Sequence, residues 1–178
     1  MNFKILDKNN KQEVVALFTE TFSSSEGEEE GKILGNLTSK LSTNINNKEI
    51  ICIGAYKNES IIGAIFFTRL SFHQSISVYM LAPVAVSPEH QGVGIGQALI
   101  NYGLKEMKSR SVSVVITYGD PSFYSKVGFQ SLSEQVIQAP LELSMPEGWL
   151  GQSLKGKLIP KINERPLCVE EFNDPALW

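Results

Sequence analysis

Residues 80–96 read MLAPVAVSPEHQGVGIG: an apolar run, a Ser-Pro-Glu-His turn and a glycine-rich stretch that leads into a helical pattern. Met80, Leu81, Ala82, Pro83, Val84, Ala85 and Val86 form the near-continuous apolar run expected of a strand buried on both faces, which places it mid-sheet. Pro83 has no N–H to give a neighbouring strand, which predicts a bulge that leaves nearby backbone groups free for a ligand. Beyond the turn, Gly96, Leu99, Ile100, Gly103, Leu104 and Met107 share one helical face, with Gln97, Asn101, Lys105 and Lys108 outside it. A helix that begins in glycines presents unpaired N–H groups and the positive end of its dipole. The missing Cβ atoms let a phosphate approach the main chain, so the stretch reads as an anion cradle.

Spacing separates the cofactor classes that use such a cradle. A dinucleotide fingerprint counted from Gly92 needs glycine at position 97, where Gln97 stands, and the next apolar strand, 112–116, ends without a ribose-binding acid. No Gly-Lys-Ser/Thr occurs to make a phosphate loop. What remains is Gln-x-x-Gly-x-Gly, carried by Gln91, Gly94 and Gly96 after a strand. It resembles the Gln/Arg-x-x-Gly-x-Gly/Ala signature of the GCN5-related N-acetyltransferases, the GNAT family. Glycines that merely permit close packing are the other reading of the loop taken alone.

A second element of the same family follows at the right distance and in the right strand–helix context: Tyr-x-x-x-Gly-Phe at Tyr124, Gly128 and Phe129. Gly119-Asp120-Pro121 turns into this short helix, with Asp120 placed to cap it, Pro121 at its first position and Gly128 ending it. The commoner family version has Asn after the preceding strand, where this chain has Thr117 or Tyr118. Gly-Asp-Pro-x-x-Tyr, joined to the 81–96 stretch and to Phe-Asn-Asp-Pro-Ala-Leu-Trp at 172–178, resembles a bacterial YhbS-like subgroup, most closely over 61–129.

The resemblance implies a GNAT fold in the α/β class (α+β in some schemes). Its mixed, mostly antiparallel central sheet is splayed between the fourth and fifth strands and flanked by helices, with the cofactor's pantetheine arm in the gap. It implies one N-acetyltransferase domain over 1–178, with a core of about 1–144 and a C-terminal extension, 145–178, packing on it. The implied co-substrate is acetyl-CoA, with no metal. Its contacts would be Val84, Ala85, Val86, Gln91, Gly92, Val93, Gly94, Ile95, Gly96, Gln97, Phe123 and Tyr124.

The remaining chain fits this frame. A first strand is expected at 2–6 and a helix over 11–22 that buries Val14, Val15, Leu17, Phe18 and Phe22 and ends at Ser23-Ser24-Ser25. Glu26, Glu28, Glu29 and Glu30 then introduce a second amphipathic helix carrying Ile33, Leu34, Leu37 and Leu41. Carboxylates suit the start of a helix dipole, and a solvated helix start is the plainer reading of the acidic run. By resemblance this helix–loop–helix overhangs the acceptor cleft, where glutamates would attract or deprotonate an amine. Two β-branched runs, 49–56 and 60–70, flank Lys57-Asn58-Glu59 as a hairpin, and 75–86 is the third strand of an antiparallel meander. The helix from Gly96 then crosses to a parallel strand. After Gln130 prolines punctuate the text; 136–143 and 154–159 are expected as strands, and Gly148, Trp149 and Leu150 as packing.

A chain of 178 residues suits one domain, and a net charge of −3 with no clustered Lys/Arg surface argues against nucleic acid as a bulk partner. No run approaches the ~18 apolar residues of a membrane span, and no apolar leader is visible, so a cytoplasmic protein with no membrane partner is expected. Cys52 and Cys168 read as reduced thiols.

Acetyl transfer needs a neutral amine at bonding distance, stabilisation of the carbonyl oxygen and a proton for the departing thiolate. Backbone N–H groups around Val84, Ala85 and Val86 suit the second need. Tyr124 suits the third, because a phenol near pKa ~10 can exchange a proton with a thiol near ~8.5. Glu26, Glu28, Glu29, Glu30 and His73 are candidates for the base by location alone, and water could serve. The expected activity is direct transfer of acetyl to a primary amine of a small molecule or peptide. The alternatives are a non-catalytic acyl-CoA sensor or interaction domain and a structural domain without ligand. The tail could mediate a homodimer.

Overall fold

The computed structural model describes residues 1–178. Its strands are β1 (Asn2–Leu6), β2 (Ile50–Lys57), β3 (Ser60–Leu70), β4 (Val78–Val86), β5 (Val114–Tyr118), β6 (Gln130–Ser131) and β7 (Trp149–Ser153). The helices are α1 (Lys11–Glu26), α2 (Glu28–Thr43), α3 (Ile95–Ser109) and α4 (Pro121–Tyr124). The strands bond in the order β1-β2-β3-β4-β5-β7-β6, which gives the apolar strand β4 the central place its composition requires. β4 and β5 run parallel, in register from Val78↔Val114 to Leu81↔Thr117, and α3 is the crossover between them. β1–β2, β5–β7 and β6–β7 are antiparallel. This is the mixed, mostly antiparallel sheet with flanking helices that the sequence led us to expect.

The chain forms two compact units, the first made of Met1–Phe67 with Pro83–Gly103 and the second of Thr68–Ala82 with Leu104–Trp178. In the first, α1 continues through Ser23, Ser24 and Ser25, where a stop was expected, and ends only at Gly27, whose φ of 100° breaks the helix. The serines act there as small residues: a Cβ on Gly31 of α2 would meet the Ser23 Oγ at 1.8 Å and the Thr19 carbonyl at 2.8 Å. Residue 31 therefore has to be glycine for α2 to lie this close to the last turns of α1. Leu34, Leu37 and Leu41 are buried as expected, but Ile33 is 47% exposed, one position off the apolar face. Asn58 and Glu59, with φ of 50° and 65°, make the two-residue turn whose twist suits a β2–β3 hairpin.

The second unit departs further from expectation. Neither 136–143 nor 154–159 forms a strand; the partner of β5 is instead β7. The N–H groups of Val136 and Ile137 turn back to the Ser133 carbonyl, at 2.9 and 3.2 Å, which removes them from any ladder. Ile137 and Ala139 are nonetheless fully buried, so apolarity there reported burial and not strand. Trp149 and Leu150 are core, as expected. Both cysteines are free thiols, and burial pushes each above its ordinary pKa. No helix is long and apolar enough to cross a membrane.

Candidate active site

In the first unit the glycine loop stands open to solvent. Gln91, Gly92, Val93 and Gly94 are exposed, Val93 to 75%, and Gly92 and Gly94 hold φ of 79° and 84° with nothing within 4 Å of where a Cβ would stand. The first bond of α3 runs from the Ala98 N–H to the Gly94 carbonyl at 3.0 Å. The N–H groups of Ile95, Gly96 and Gln97 therefore precede the helical ladder and lie at the positive end of a 15-residue helix. The opposite face of α3 anchors the loop. Leu99, Ile100 and Met107 are fully buried, and a Cβ on Gly103 would strike Phe67 and Ile65 at under 3 Å.

A clamp ties the loop to the end of β4. The Gln91 amide donates to the Val86 carbonyl at 2.9 Å, and Thr21 of α1 donates to the same oxygen at 3.4 Å. The Ser87 N–H meets the Ile62 carbonyl at 2.8 Å, and the Ser87 hydroxyl bonds His90 Nδ1 at 2.7 Å. Val84 and Val86 are half-buried while Pro83 and Ala85 are buried, so this end of β4 alternates where its first half is buried throughout. Pro83 lies two positions past the last registered pair with β5, Leu81↔Thr117.

Tyr124 is built in the second unit. Asp120 caps α4 by accepting from the Ser122 N–H at 2.9 Å, Pro121 occupies the first turn, and Gly128 ends the following turn with φ of 92°. The Tyr124 ring meets Phe123 and Phe129 edge-on, at centroid distances of 5.0 and 5.7 Å, and lies flush against Gly119. Burial holds the phenol above its ordinary pKa of 10; the Thr117 hydroxyl opposes that shift and the Asp120 carboxylate adds to it. At neutral pH Tyr124 is a protonated donor. Asp120 is held below the ordinary carboxyl range, chiefly by the Ser122 hydroxyl.

Thr117, at or next to the position where the commoner family version has Asn, and Gly119, which was expected only as part of the Gly-Asp-Pro turn, both stand beside Tyr124 in the chain order β5–α4. Thr117 is fully buried, and its hydroxyl donates to the Leu81 carbonyl at 2.7 Å, at the last registered β4–β5 pair. Of the base candidates, Glu26 ends α1 and Glu28, Glu29 and Glu30 form the first turn of α2. His73, in the second unit, bonds Glu164 at 2.8 Å.

The family model for an acetyltransferase (GNAT) domain matches residues 2–132, which include both the glycine loop and Tyr124. The chain belongs to the GNAT acetyltransferases. It is 28% identical over 160 residues to the uncharacterized N-acetyltransferase YjhQ of Escherichia coli (strain K12), covering 85% of this chain and 83% of that protein. Similarity to the uncharacterized N-acetyltransferase YhbS of the same strain is 30% over 71 residues, 39% of this chain and 42% of YhbS. The crystal structure of Escherichia coli YhbS in complex with CoA shares the fold with a TM-score of 0.79 at 19% identity, covering 97% of this chain and 92% of that one. A GNAT acetyltransferase from Brucella melitensis in complex with acetyl-CoA gives 0.66 at 18%, covering 90% and 92%. The family match ends at residue 132, before β7, which pairs antiparallel with β5.

Proposed function

We propose that this GNAT domain moves acetyl from acetyl-CoA to a primary amine of a small molecule or peptide. The observation that carries the reading is the exposed loop at 91–96, where two glycines with φ near 80° precede three N–H groups that the α3 ladder does not use. Such a helix start fits a diphosphate, and the CoA and acetyl-CoA complexes of the two structures named above support the same ligand here. The open space around Gly92 and Gly94 leaves room for it.

Bound there, acetyl-CoA supplies an activated acetyl thioester. The residues of the chain then have three tasks. Gly94, Ile95, Gly96 and Gln97 hold the diphosphate, with Gln91 keeping the loop in shape through Val86. Backbone N–H groups of Val84, Ala85 and Val86 steady the pantetheine and the carbonyl oxygen. Tyr124 hands its proton to the departing thiolate, a task for which a phenol kept neutral by burial is suited.

The test follows free thiol while the protein is incubated with acetyl-CoA and a pool of primary amines. Thiol release that requires both protein and amine is expected. Binding of CoA without amine-dependent release would make the chain an acyl-CoA sensor, and an unchanged melting temperature in saturating CoA would overturn the ligand itself.

A further inference from the structure

We propose that the outer face of α1 is a docking surface for a second copy of this chain, which lays its own α1 against it in the antiparallel sense. The proposal is independent of the acetyl-transfer reading and uses neither the glycine loop nor Tyr124.

α1 turns Val14, Leu17 and Phe18 into the core, and its other side carries an open groove of about 840 Å³. Val15 and Ala16 line the middle of the groove; Val15, expected in the core, is only half-buried, and Ala16 is exposed. Lys8 and Lys11 line it at the start of the helix and Glu20 further along, with Ser39 of α2 beside them. The face is therefore small and apolar in the middle, positive at one end and negative at the other.

Those charges oppose the helix that carries them. A helix dipole favours acids in the first turn and bases in the last, whereas here Lys8 and Lys11 come first and the last turn holds no base. Glu13, the acid of the first turn, is taken up by the Asn10 amide at 2.8 Å and by the Tyr56 hydroxyl. Lys11 donates to the exposed Thr43 hydroxyl at 2.8 Å, a neutral partner that a carboxylate outcompetes. No hydrogen bond or ion pair within the chain engages the Lys8 ammonium or the Glu20 carboxylate.

An antiparallel second copy answers both mismatches. A two-fold axis between Val15 and Ala16 sets Val15 level with the partner's Ala16, Gln12 with the partner's Thr19 and Lys11 with the partner's Glu20. The surface then meets itself, apolar middle on apolar middle and lysine end on glutamate end, with each helix start beside the other helix's finish. A peptide of one charge sign would suit only one end of the face. One helix face is small beside the roughly 800 Å² per partner of a standard interface, so the pair is a weak, reversible and salt-sensitive dimer.

Sedimentation velocity of the full chain, from micromolar to millimolar concentration at low salt, tests this. We expect wild type to pass from monomer to dimer across that range and to return to monomer in about 1 M salt, where the screening length falls to about 3 Å. Glu20→Lys alone, and Lys8→Glu with Lys11→Glu as a second protein, each put like charges together at both ends of the pair and should weaken self-association at least about tenfold. Mixed in equal amounts, the two variants carry opposite charges at each end and should regain the wild-type dimer, which damaged folds would not do. None of the substituted side chains belongs to the buried core, and thermal melts of the dilute proteins check that both variants fold. A wild type that stays monomeric throughout, variants that dimerise as wild type does through another face such as the tail, or a mixture that fails to recover would each overturn the proposal.

Discussion

A Cβ on Gly119 would stand 2.7 Å from Cε2 of Tyr124, closer than side chains tolerate. The ring therefore sits where it does because residue 119 has no side chain, and the Gly119 N–H is held by the Gly148 carbonyl at 3.0 Å, so the backbone cannot easily yield. Gly119→Ala should push the ring off its seat at an overpacking cost of about 1–3 kcal/mol. A displaced proton donor should lower kcat about 100-fold with the acetyl-CoA KM nearly unchanged. Steady-state kinetics beside thermal melts check this; wild-type kcat in a destabilised variant would separate the packing of Tyr124 from its chemistry.

Gly94 faces open space, so a side chain there meets no protein atom. The expected penalty comes from the φ of 84° and from charge in the path of a diphosphate. Gly94→Asp should weaken CoA binding at least about tenfold, about 1.4 kcal/mol, in a protein that still folds. Calorimetric titration with CoA reads the change, and wild-type affinity in the folded variant would remove the loop from the binding site.

Glu164 is held below its ordinary value of 4.5, first by the Gln74 N–H at 3.0 Å and then by His73. A carboxylate depressed in the folded state adds stability above its unfolded pKa and loses it as pH falls through the lower folded one. Glu164→Gln should therefore lower Tm at neutral pH, with the difference from wild type shrinking as pH drops below about 4.5. The same bonds tie Glu164 to the β3–β4 connection, where Ser71 and Leu167 also exchange backbone bonds at 2.8 and 2.9 Å. Melting curves across the acid range would show it, and a pH-independent difference would contradict it.

How legible was the site in the sequence? The loop and α3 were readable because glycine spacing and a 3.6-residue apolar face are local signals, and α4 because Asp120, Pro121 and Gly128 punctuate it. The Thr117 bond to the Leu81 carbonyl could not be read, because it depends on a parallel pair whose register no local pattern encodes. The tail failed for a related reason. Trp178 is buried against Tyr118 and Trp149, at 6.1 Å from each, and its indole donates to the Phe172 carbonyl at 2.9 Å. The Trp149 indole donates to the Ile137 carbonyl at 3.0 Å, a side-chain contact inside 136–143 where apolarity alone suggested strand. The serines that end α1 on paper stay helical up to Gly27, whose φ of 100° breaks the helix, and Ser23 there lies against Gly31 of α2, a long-range contact no local pattern shows.

The most direct test of acetyl transfer is mass spectrometry of a metabolite extract incubated with the protein and carbon-13-labelled acetyl-CoA. Wild type should give a labelled N-acetyl product, formed about 100-fold more slowly or worse by Tyr124→Phe despite similar acetyl-CoA binding. A protein that binds acetyl-CoA yet labels no amine, or a Tyr124→Phe variant as fast as wild type with chemistry rate-limiting, would contradict it.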